Sequence, residues 1–325
     1  MPKKQIKNIA VVTPGGDAPG MNPAIRAVVR CAISSGLNVL GVKRGWQGLI
    51  DGDIVDLHLK SVSGIISKGG TILLTHRCHE FKEKTVRQKA YENLKAFNID
   101  AMIVIGGDGS LKAAYQIYKE TKLPIINIPA SIDNDIYGTD YTIGFDTAVN
   151  TAVNAIDKIR DTATSHERIF IVEVMGRNSG SIAIDVGITC GAEAILIPEI
   201  PFNLDDITKK LKQGEQRGKS SFIIVLAEGA GHAHDIAEKI SKKTDLEVRV
   251  SILGHMQRGG NPTALSREVA CKLGAAAVRA LLDGKTSIMV GMLSDKVVDT
   301  PTKIAVKRKK DIDRDGYKLA EILSA

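Results

Sequence analysis

The stretch Pro124-Ile-Ile-Asn-Ile-Pro-Ala-Ser-Ile-Asp-Asn-Asp135 decides the fold, because an apolar run passes directly into a polar loop. The run Pro124–Ile128 predicts a buried strand, and the loop after it carries Ser131, Asp133 and Asp135. In a parallel α/β sheet, the loops at the carboxyl ends of the strands carry the chemistry. The two carboxylates are therefore candidates for a base, a metal partner or a hydroxyl acceptor. A simple turn after a strand is the plain alternative.

Further apolar runs alternate with helical patterns along the whole chain. They predict strands at Ile9–Thr13, Asn38–Val42, Ala101–Ile105, Ile169–Val174, Ala194–Ile197, Phe222–Ala227, Val248–Leu253 and Ile288–Val290. Many of these runs are continuous, which is typical of parallel strands covered by helices on both faces. Helical spacing appears at Met21–Ile33, with Gly36 as a stop, and at Ala148–Ile159. We therefore predict an α/β protein with mostly parallel sheets.

The composition is that of a folded globular protein. The 325 residues are 43% hydrophobic and 25% charged, which is enough for a large core, and the length favours two domains. No apolar run approaches the ~20 residues of a membrane span, and the amino terminus lacks a signal-peptide pattern. The cysteines are widely spaced, at Cys31, Cys78, Cys190 and Cys271. We expect no membrane association, no disulfide or metal framework, and a cytoplasmic location.

The net charge of +7 raises the possibility of nucleic-acid binding. Aromatic residues make up only 4% of the chain and the basic residues are mostly scattered, so we expect no nucleic-acid partner. The densest basic run, Lys307–Lys310, is followed by acidic residues and is interpreted as a solvated surface. Arginines instead recur beside glycine loops, which favours small phosphorylated ligands.

Two loops share the pattern of an apolar strand, Gly-Gly-Asp and a helix. They are Gly15-Gly-Asp17 and Gly106-Gly-Asp108. Glycines let the backbone approach a ligand closely, and the free amides at a helix start bind anions. Neither loop fits the dinucleotide fingerprint or the Walker loop. Asp108 is well placed for Mg²⁺ bound jointly with phosphate oxygens, although a tight structural turn would explain both loops.

Other polar residues follow strand ends or glycines. Arg177 could bind a phosphate or sugar oxygen, Glu228 could accept sugar hydroxyls, and His255 and Arg258 lie in a glycine-rich segment. Cys78 adjoins Arg77, but nothing near it in the sequence indicates an activated thiolate.

Five motifs together resemble the bacterial-type ATP-dependent 6-phosphofructokinase family. They appear in family order at Gly15–Asn22, Gly106–Gly109, Ile132–Asp140, Met175–Arg177 and Gly254–Gly260. The resemblance covers nearly the whole chain and implies two three-layer (αβα) domains. It also implies transfer of the γ-phosphoryl group of MgATP to the 1-hydroxyl of fructose 6-phosphate, a step of glycolysis.

The resemblance assigns roles residue by residue. Asp133 matches the catalytic base, Asp108 matches the Mg²⁺ partner, and Asp135 supports the metal or the loop. The ATP-site positions are Gly16, Arg77, Cys78, Gly107, Asp108, Gly109 and Ser110. The sugar-phosphate positions are Ser131, Asp133, Asp135, Met175, Gly176, Arg177, Glu228, His255 and Arg258, with Arg168 and Arg249 reaching in from a neighbouring subunit. The implied assembly is therefore a homotetramer with shared active sites.

The resemblance also predicts the phosphoryl donor and the allosteric effectors. Pyrophosphate-dependent relatives usually carry an aspartate at the position of Gly109 and a lysine at that of Ala130, so this chain is predicted to use ATP. An allosteric site for ADP or phosphoenolpyruvate is implied at Arg26, Arg30, Arg160, Glu193, Arg217 and Lys219. Leu59 stands where some members have an arginine, Ser131 replaces a threonine, Ala130 a glycine, and Trp46 a tyrosine.

The predicted ATP-binding domain combines residues 1–143 with 256–306, and the fructose 6-phosphate-binding domain combines 144–255 with 307–325. The active site would lie in the cleft between them. Two alternatives stay open. One is a kinase that uses pyrophosphate or another phosphosugar, and the other is a non-catalytic nucleotide-binding regulatory subunit.

Overall fold

The computed structural model describes residues 6–244 and 246–324. The chain forms two compact units. The first contains residues up to Ser131, Asp135–Asp146 and Arg258–Lys310, and the second contains Ile132–Asn134, Thr147–Gln257 and the residues from Asp311 onward. The predicted boundaries lie a few residues from these, with one difference: Ile132–Asn134 groups with the second unit. The ligand of each unit stays a prediction.

Strands and helices alternate through most of the chain. The strands are β1 Asn8–Val12, β2 Asn38–Val42, β3 Ile54–Leu57, β4 Ala101–Gly106, β5 Ile125–Ser131, β6 Ile143–Gly144, β7 Ile169–Val174, β8 Ala194–Leu196, β9 Phe222–Ala227, β10 Val248–Ile252, β11 Ile288–Leu293 and β12 Lys296–Pro301. The helices are α1 Met21–Ser34, α2 Gly45–Asp51, α3 Lys84–Ala96, α4 Asp108–Thr121, α5 Phe145–Ser165, α6 Ser181–Cys190, α7 Leu204–Gln216, α8 Ala233–Ser241, α9 Ala264–Leu282, α10 Thr302–Ala305 and α11 Arg314–Leu323. Short 3₁₀ helices occupy Glu80–Lys82 and Gly254–Arg258.

The first unit is built on one sheet with the strand order β12-β11-β5-β4-β1-β2-β3, and β6 pairs with β5. The central pairings are parallel, while β2–β3 and β11–β12 are antiparallel. Both faces of the sheet are covered. Ala10 and Val12 of β1 join a buried cluster with residues of α3 and α4, whereas Ile9 and Val11, which alternate with them, are equally buried. The predicted layering of helices on both faces is thereby confirmed for this sheet.

The second unit has a four-stranded parallel sheet in the order β10-β7-β9-β8. Ile169, Ile171 and Phe222 pack in one buried cluster with α7 and α8. Val172 and Val225 are fully buried as well. Burial of both sets of alternating residues explains why these strands have continuous apolar sequences. Within residues 6–244 and 246–324, no helix is long and apolar enough to cross a membrane.

Several strand predictions need correction. β5 does not end at Ile128 but continues through Pro129 to Ser131, because Pro129 lies opposite Gly106 of β4 and β6 pairs with the last two residues. β11 is likewise longer than predicted, because β12 pairs along its whole length. The sequence analysis did not predict β3, β6 or β12.

Candidate active site

The first glycine loop joins β1 to α1 and lies against Arg258 in the first unit. Gly15 adopts a φ of 95°, in the left-handed region that favours glycine. Nη2 of Arg258 donates to the carbonyl of Asp17 at 2.8 Å and to its Oδ1 at 3.0 Å. A Cβ at Gly16 would lie only 2.3 Å from that nitrogen. The structure thus places Arg258, predicted for the sugar phosphate, beside Gly16, predicted for ATP.

The second glycine loop joins β4 to α4. The Ser110 hydroxyl is buried and donates to the Pro14 carbonyl at 2.8 Å, so it connects the two glycine loops. A Cβ at Gly106 would lie 2.6 Å from the Ser110 Oγ, which explains the glycine there. Gly107 precedes the first turn of α4, where free backbone amides favour a phosphate.

Asp108 is the first residue of α4, and its carboxylate meets Lys112 Nζ at 2.6 Å. Its side chain remains 43% exposed. In the part of the chain that the structure describes, no three His, Cys, Asp or Glu side chains group to hold a metal. One accessible carboxylate at a helix start fits Mg²⁺, which takes most of its other ligands from phosphates and water.

Gly109 differs from Gly106 in its surroundings. Apart from its chain neighbours and the backbone of α4, no heavy atom would lie within 4 Å of a Cβ at Gly109, and its φ is not positive. The fold therefore does not require glycine at this position. The free space next to Asp108 is available to a ligand.

The segment with Arg77 and Cys78 precedes the 3₁₀ helix Glu80–Lys82. Arg77 is exposed. Cys78 packs against the cluster in which the rings of Trp46 and Phe81 stack with centroids 5.0 Å apart. Burial raises the pKa of the Cys78 thiol above its ordinary value. This direction agrees with the prediction that Cys78 is not an activated thiolate.

A partly buried ion pair fixes the end of this segment. Arg87 forms two hydrogen bonds with the Glu120 carboxylate, at 3.0 and 2.7 Å, and donates to the carbonyls of Phe81 and Lys82. The Tyr91 hydroxyl also donates to Glu120. These hydrogen bonds, above all those from Arg87, lower the pKa of Glu120 to about 2. Burial raises the pKa of Tyr91.

The loop after β5 carries the predicted base. Asp133 is only 7% exposed, whereas Asp135 is exposed. Asn134 between them has a φ of 51°, a left-handed conformation that asparagine tolerates better than most residues. Ser131 ends β5, and its carbonyl accepts a hydrogen bond from the Thr142 hydroxyl. This turn directs the two carboxylates into different environments.

In the second unit, Arg177 contacts Asp133. Nε of Arg177 lies 3.5 Å from Oδ2 of Asp133. Arg177 has a φ of 52°, and its amide donates to Glu228 Oε1 at 2.7 Å. A Cβ at Gly229 would lie 1.9 Å from the Arg177 carbonyl, so only glycine fits there. Glu228, predicted to accept sugar hydroxyls, thus orients the backbone of Arg177.

Two residues that were not predicted from the sequence bind backbone amides at and just after the loop of Met175, Gly176 and Arg177. Gln257 is fully buried, and its Oε1 accepts a hydrogen bond from the Met175 amide at 2.8 Å. Glu199 accepts from the amide of Gly180 at 2.9 Å, just before α6. Gln257 could have been found from its position inside the motif Gly254–Gly260. Glu199 has no comparable sequence signal.

His255 is exposed in the 3₁₀ helix that contains Gln257. The structure brings Arg168 and Arg249 together on a single carboxylate, because both form ion pairs with Glu247. Arg168 immediately precedes β7 and Arg249 lies on β10, the strand that pairs with β7. Guanidinium groups bind carboxylates and phosphates with the same donors, so a phosphate could bind here only in place of the Glu247 carboxylate.

The predicted effector residues fall into two groups. Four lie in the second unit: Arg160, Glu193, Arg217 and Lys219. The Glu193 carboxylate is buried, pairs with Lys219 and accepts from a backbone amide. Arg160 donates to the carbonyls at the end of α6, and the exposed Arg217 follows α7. Arg26 and Arg30 lie on α1 in the first unit.

Comparisons with known proteins give a consistent result. A family profile described as phosphofructokinase matches residues 8–281. A relative from Thermotoga neapolitana, named ATP-dependent 6-phosphofructokinase, is 51% identical over 319 residues, which cover 98% of this chain and 100% of that protein.

Two solved structures are also similar. Pichia pastoris phosphofructokinase in the T-state matches with a TM-score of 0.88 and 37% identity, covering 93% of this chain and 36% of that chain. A pyrophosphate-dependent phosphofructokinase from Marinobacter aquaeolei matches with a TM-score of 0.85 over 98% of this chain and 92% of that one. Its 23% identity supports the two-unit α/β fold alone.

Proposed function

Because the chain belongs to the phosphofructokinase family, we propose that it transfers the γ-phosphoryl group of ATP to the 1-hydroxyl of fructose 6-phosphate. The products are fructose 1,6-bisphosphate and ADP, so the protein is a glycolytic kinase. Full-length similarity to a protein named ATP-dependent 6-phosphofructokinase carries this assignment.

Asp133 is the catalytic base of this reaction. It accepts the proton of the sugar 1-hydroxyl while that oxygen forms a bond to the γ-phosphorus. The bond from the γ-phosphorus to the β–γ bridging oxygen breaks, and ADP leaves with the electron pair. Phosphoryl transfer of this kind depends mostly on positioning and charge neutralisation. The Arg177 guanidinium, 3.5 Å away, supports both by orienting the Asp133 carboxylate and lying next to the reacting charge.

The two glycine loops bind the nucleotide phosphates. The backbone amides of Gly16, Gly107 and Gly109 can approach the phosphates closely, because these residues have no side chain. Arg77 contributes positive charge. Asp108 would hold Mg²⁺, and the ion would supply charge neutralisation on the phosphates. The free space at Gly109 supports ATP as the donor, because the nucleotide's α-phosphate needs room that a side chain would take.

The sugar phosphate is bound by the residues that the sequence predicts for it, Arg258 among them. Met175, Gly176 and Arg177 form its main loop, supported by Glu228 and Gln257. Ser131, Asp135 and His255 complete the substrate contacts.

Arg168 and Arg249 bind the 6-phosphate of the sugar held by a neighbouring subunit of a cytoplasmic homotetramer. Their shared ion pairs with Glu247 support this role, since a phosphate can replace a carboxylate between two guanidinium groups.

An effector, ADP or phosphoenolpyruvate, binds between subunits and contacts Arg160, Glu193, Arg217, Lys219, Arg26 and Arg30. The last two lie four residues apart on one helix face and can contact one phosphate. We expect Arg217→Gln to abolish the effect of ADP on the KM for fructose 6-phosphate. Lys209→Gln, a matched loss of charge on α7, should preserve it.

The first experiment is coupled initial velocity with fructose 6-phosphate and Mg²⁺, using ATP or pyrophosphate, with and without ADP. We expect turnover with ATP only. Asp133→Ser should lower kcat by several orders of magnitude and change the sugar KM little, while Asp311→Ser, an exposed control, should behave as wild type. Turnover with pyrophosphate alone would overturn the donor assignment. No turnover with either donor would favour a regulatory subunit or another phosphosugar.

Shared sites are tested by complementation. Asp133→Ser and the double variant Arg168→Gln/Arg249→Gln should each have little activity alone. Mixed during refolding, they should regain activity. Some sites of a hybrid assembly then combine an intact Asp133 from one variant with an intact Arg168 and Arg249 from the other. Absence of recovery in hybrids that do form would exclude shared sites.

A further inference from the structure

Residues 305–310, here called the strap, lie in the first unit, and the reaction outlined above assigns them no role. The sequence predicted that the basic run Lys307–Lys310 is a solvated surface. The side chains are largely exposed, as that interpretation expects, and the run also lies along residues 136–140. This segment follows Asp135 directly.

Three successive strap residues contact the segment 136–140. Lys309 forms an isolated antiparallel bridge with Ile136. The Arg308 guanidinium lies 5.3 Å from the centre of the Tyr137 ring, and its Nη1 meets the Tyr137 hydroxyl at 3.0 Å. Lys310 Nζ donates to the carbonyl of Asp140. Arg308 therefore combines a cation–π contact and a hydrogen bond on a single side chain.

The β11–β12 hairpin contacts the far end of the same segment. The Asp140 amide donates to the Met292 carbonyl at 2.7 Å, and the Ser294 amide donates to Asp140 Oδ2 at 2.7 Å. Both of these hydrogen bonds hold Asp140 in place. Lys309 and Arg308 instead contact residues 136 and 137, which are nearest in sequence to Asp135.

A small apolar cluster joins the strap to the helix that begins with Asp108. Leu111, Ile136, Met289 and Ala305 are buried together, and Val306 packs against them. Leu111 follows Asp108 by one helical turn on α4. The strap thus packs on the same cluster as Ile136 and the first turn of α4.

We propose that Arg308 is a positioning residue for the loop Asp133–Asp135, acting through Tyr137. The proposal rests on the proposed function, in which Asp133 is the base. A base must lie within hydrogen-bond reach of the proton that it accepts, so a small displacement of its loop lowers turnover. The strap contacts the chain just after that loop and so restricts its displacement.

The test compares kcat and both KM values of Arg308→Gln, Lys307→Gln and Tyr137→Phe with wild type. Lys307→Gln removes the same charge from the adjacent exposed residue. We expect Arg308→Gln to lower kcat about tenfold and to leave the KM for ATP unchanged within about twofold, as a misplaced reacting group would. Lys307→Gln should match wild type, and Tyr137→Phe should lower kcat less than Arg308→Gln because the ring remains.

The double variant Arg308→Gln/Tyr137→Phe measures the coupling. If Arg308 acts through Tyr137, the double variant should lose no more kcat than Arg308→Gln. A kcat of Arg308→Gln equal to wild type would overturn the proposal. Fully additive losses, an equal loss in Lys307→Gln, or a change in KM alone would do so as well.

Wild type and Asp133→Ser in the same assay separate this proposal from the proposed function. An inactive wild type, or an active Asp133→Ser, would contradict the proposed function and the proposal with it. An active wild type and inactive Asp133→Ser with an unaffected Arg308→Gln would contradict only the positioning role. If Arg308→Gln does not fold, Tyr137→Phe decides, since its ring still fills the space, and an unchanged kcat would then overturn the proposal.

Discussion

Arg177 and Asp133 form an ion pair in which Nε lies 3.5 Å from Oδ2, although the two residues are far apart in the sequence. The arginine side chain is 58% exposed and the aspartate side chain 9%. One member of the pair is thus accessible to a ligand, while the other is nearly enclosed. A bound sugar can contact the guanidinium while the guanidinium still orients the carboxylate.

This pair predicts the effect of Arg177→Lys. Lysine keeps the charge but lacks the planar, branched set of donors that can serve a carboxylate and a ligand together. We expect a rise in the KM for fructose 6-phosphate and a fall in kcat of about tenfold, with the KM for ATP unchanged. Steady-state kinetics measure all three. Arg314→Lys, an exposed arginine on α11, is the control, and an unaltered sugar KM would contradict a role of Arg177 in substrate binding.

Gly106 and Gly109 allow a matched test of the second glycine loop. A Cβ at Gly106 meets the Ser110 side chain, so Gly106→Ala should destabilise the protein by about 1–3 kcal/mol, as overpacking does. Gly109→Ala should leave the unfolding free energy near that of wild type but raise the KM for ATP, because its side chain enters free space. Urea unfolding and kinetics check the two effects. Equal unfolding midpoints for both variants would show that Ser110 adjusts.

Arg87 is expected to be important for stability. It is 6% exposed and contacts Glu120 and two backbone carbonyls, so Arg87→Ala leaves a partly buried carboxylate without its main partner. We expect a loss of about 1–3 kcal/mol in the free energy of unfolding, the cost of leaving a hydrogen-bonding group without its partner. Lys89→Ala, an exposed lysine on the same helix, should have little effect. A loss as small as that of the control would mean that Glu120 finds other partners.

The same ion pair predicts a pH dependence. The hydrogen bonds from Arg87 lower the pKa of Glu120 from 4.5 to about 2. A carboxyl whose pKa is lower in the folded state contributes stability above its unfolded pKa and loses it as the pH falls through the folded pKa. The stability difference between wild type and Glu120→Gln should therefore be complete near neutral pH and smaller at about pH 3. Urea midpoints at both pH values measure it, and a constant difference would contradict the lowered pKa.

The fold was predictable where strands are buried on both faces. β2, β7 and β9 have the predicted bounds. Burial on both faces removes the alternation of polar and apolar residues, so each strand appears as one apolar run. β3 and β12 were missed, and both lie at edges of the first sheet. Five of the six residues of β12 are at least partly exposed, so no apolar run marks it. Its position depends on pairing with β11, which is a tertiary property.

The site was predictable where chemistry needs particular residue types. Asp133 and Arg177 were identified by their motifs, and the structure brings them together. Gln257 was missed because an uncharged amide suggests no chemistry, and its partner, the Met175 amide, lies 82 residues away in the sequence. Glu228 was identified, but its bond to the Arg177 amide depends on the left-handed backbone of Arg177. Such backbone partners cannot be inferred from side-chain type.

The free space around Gly109 has an evolutionary consequence. The glycine codons GGU and GGC become aspartate codons by a single base change, so from either of them aspartate at position 109 is one point mutation away. Since no heavy atom beyond the adjacent backbone would lie within 4 Å of a Cβ at this position, we expect such a mutation to change ligand binding while sparing the scaffold. In this chain, selection on donor preference can therefore proceed independently of selection on folding.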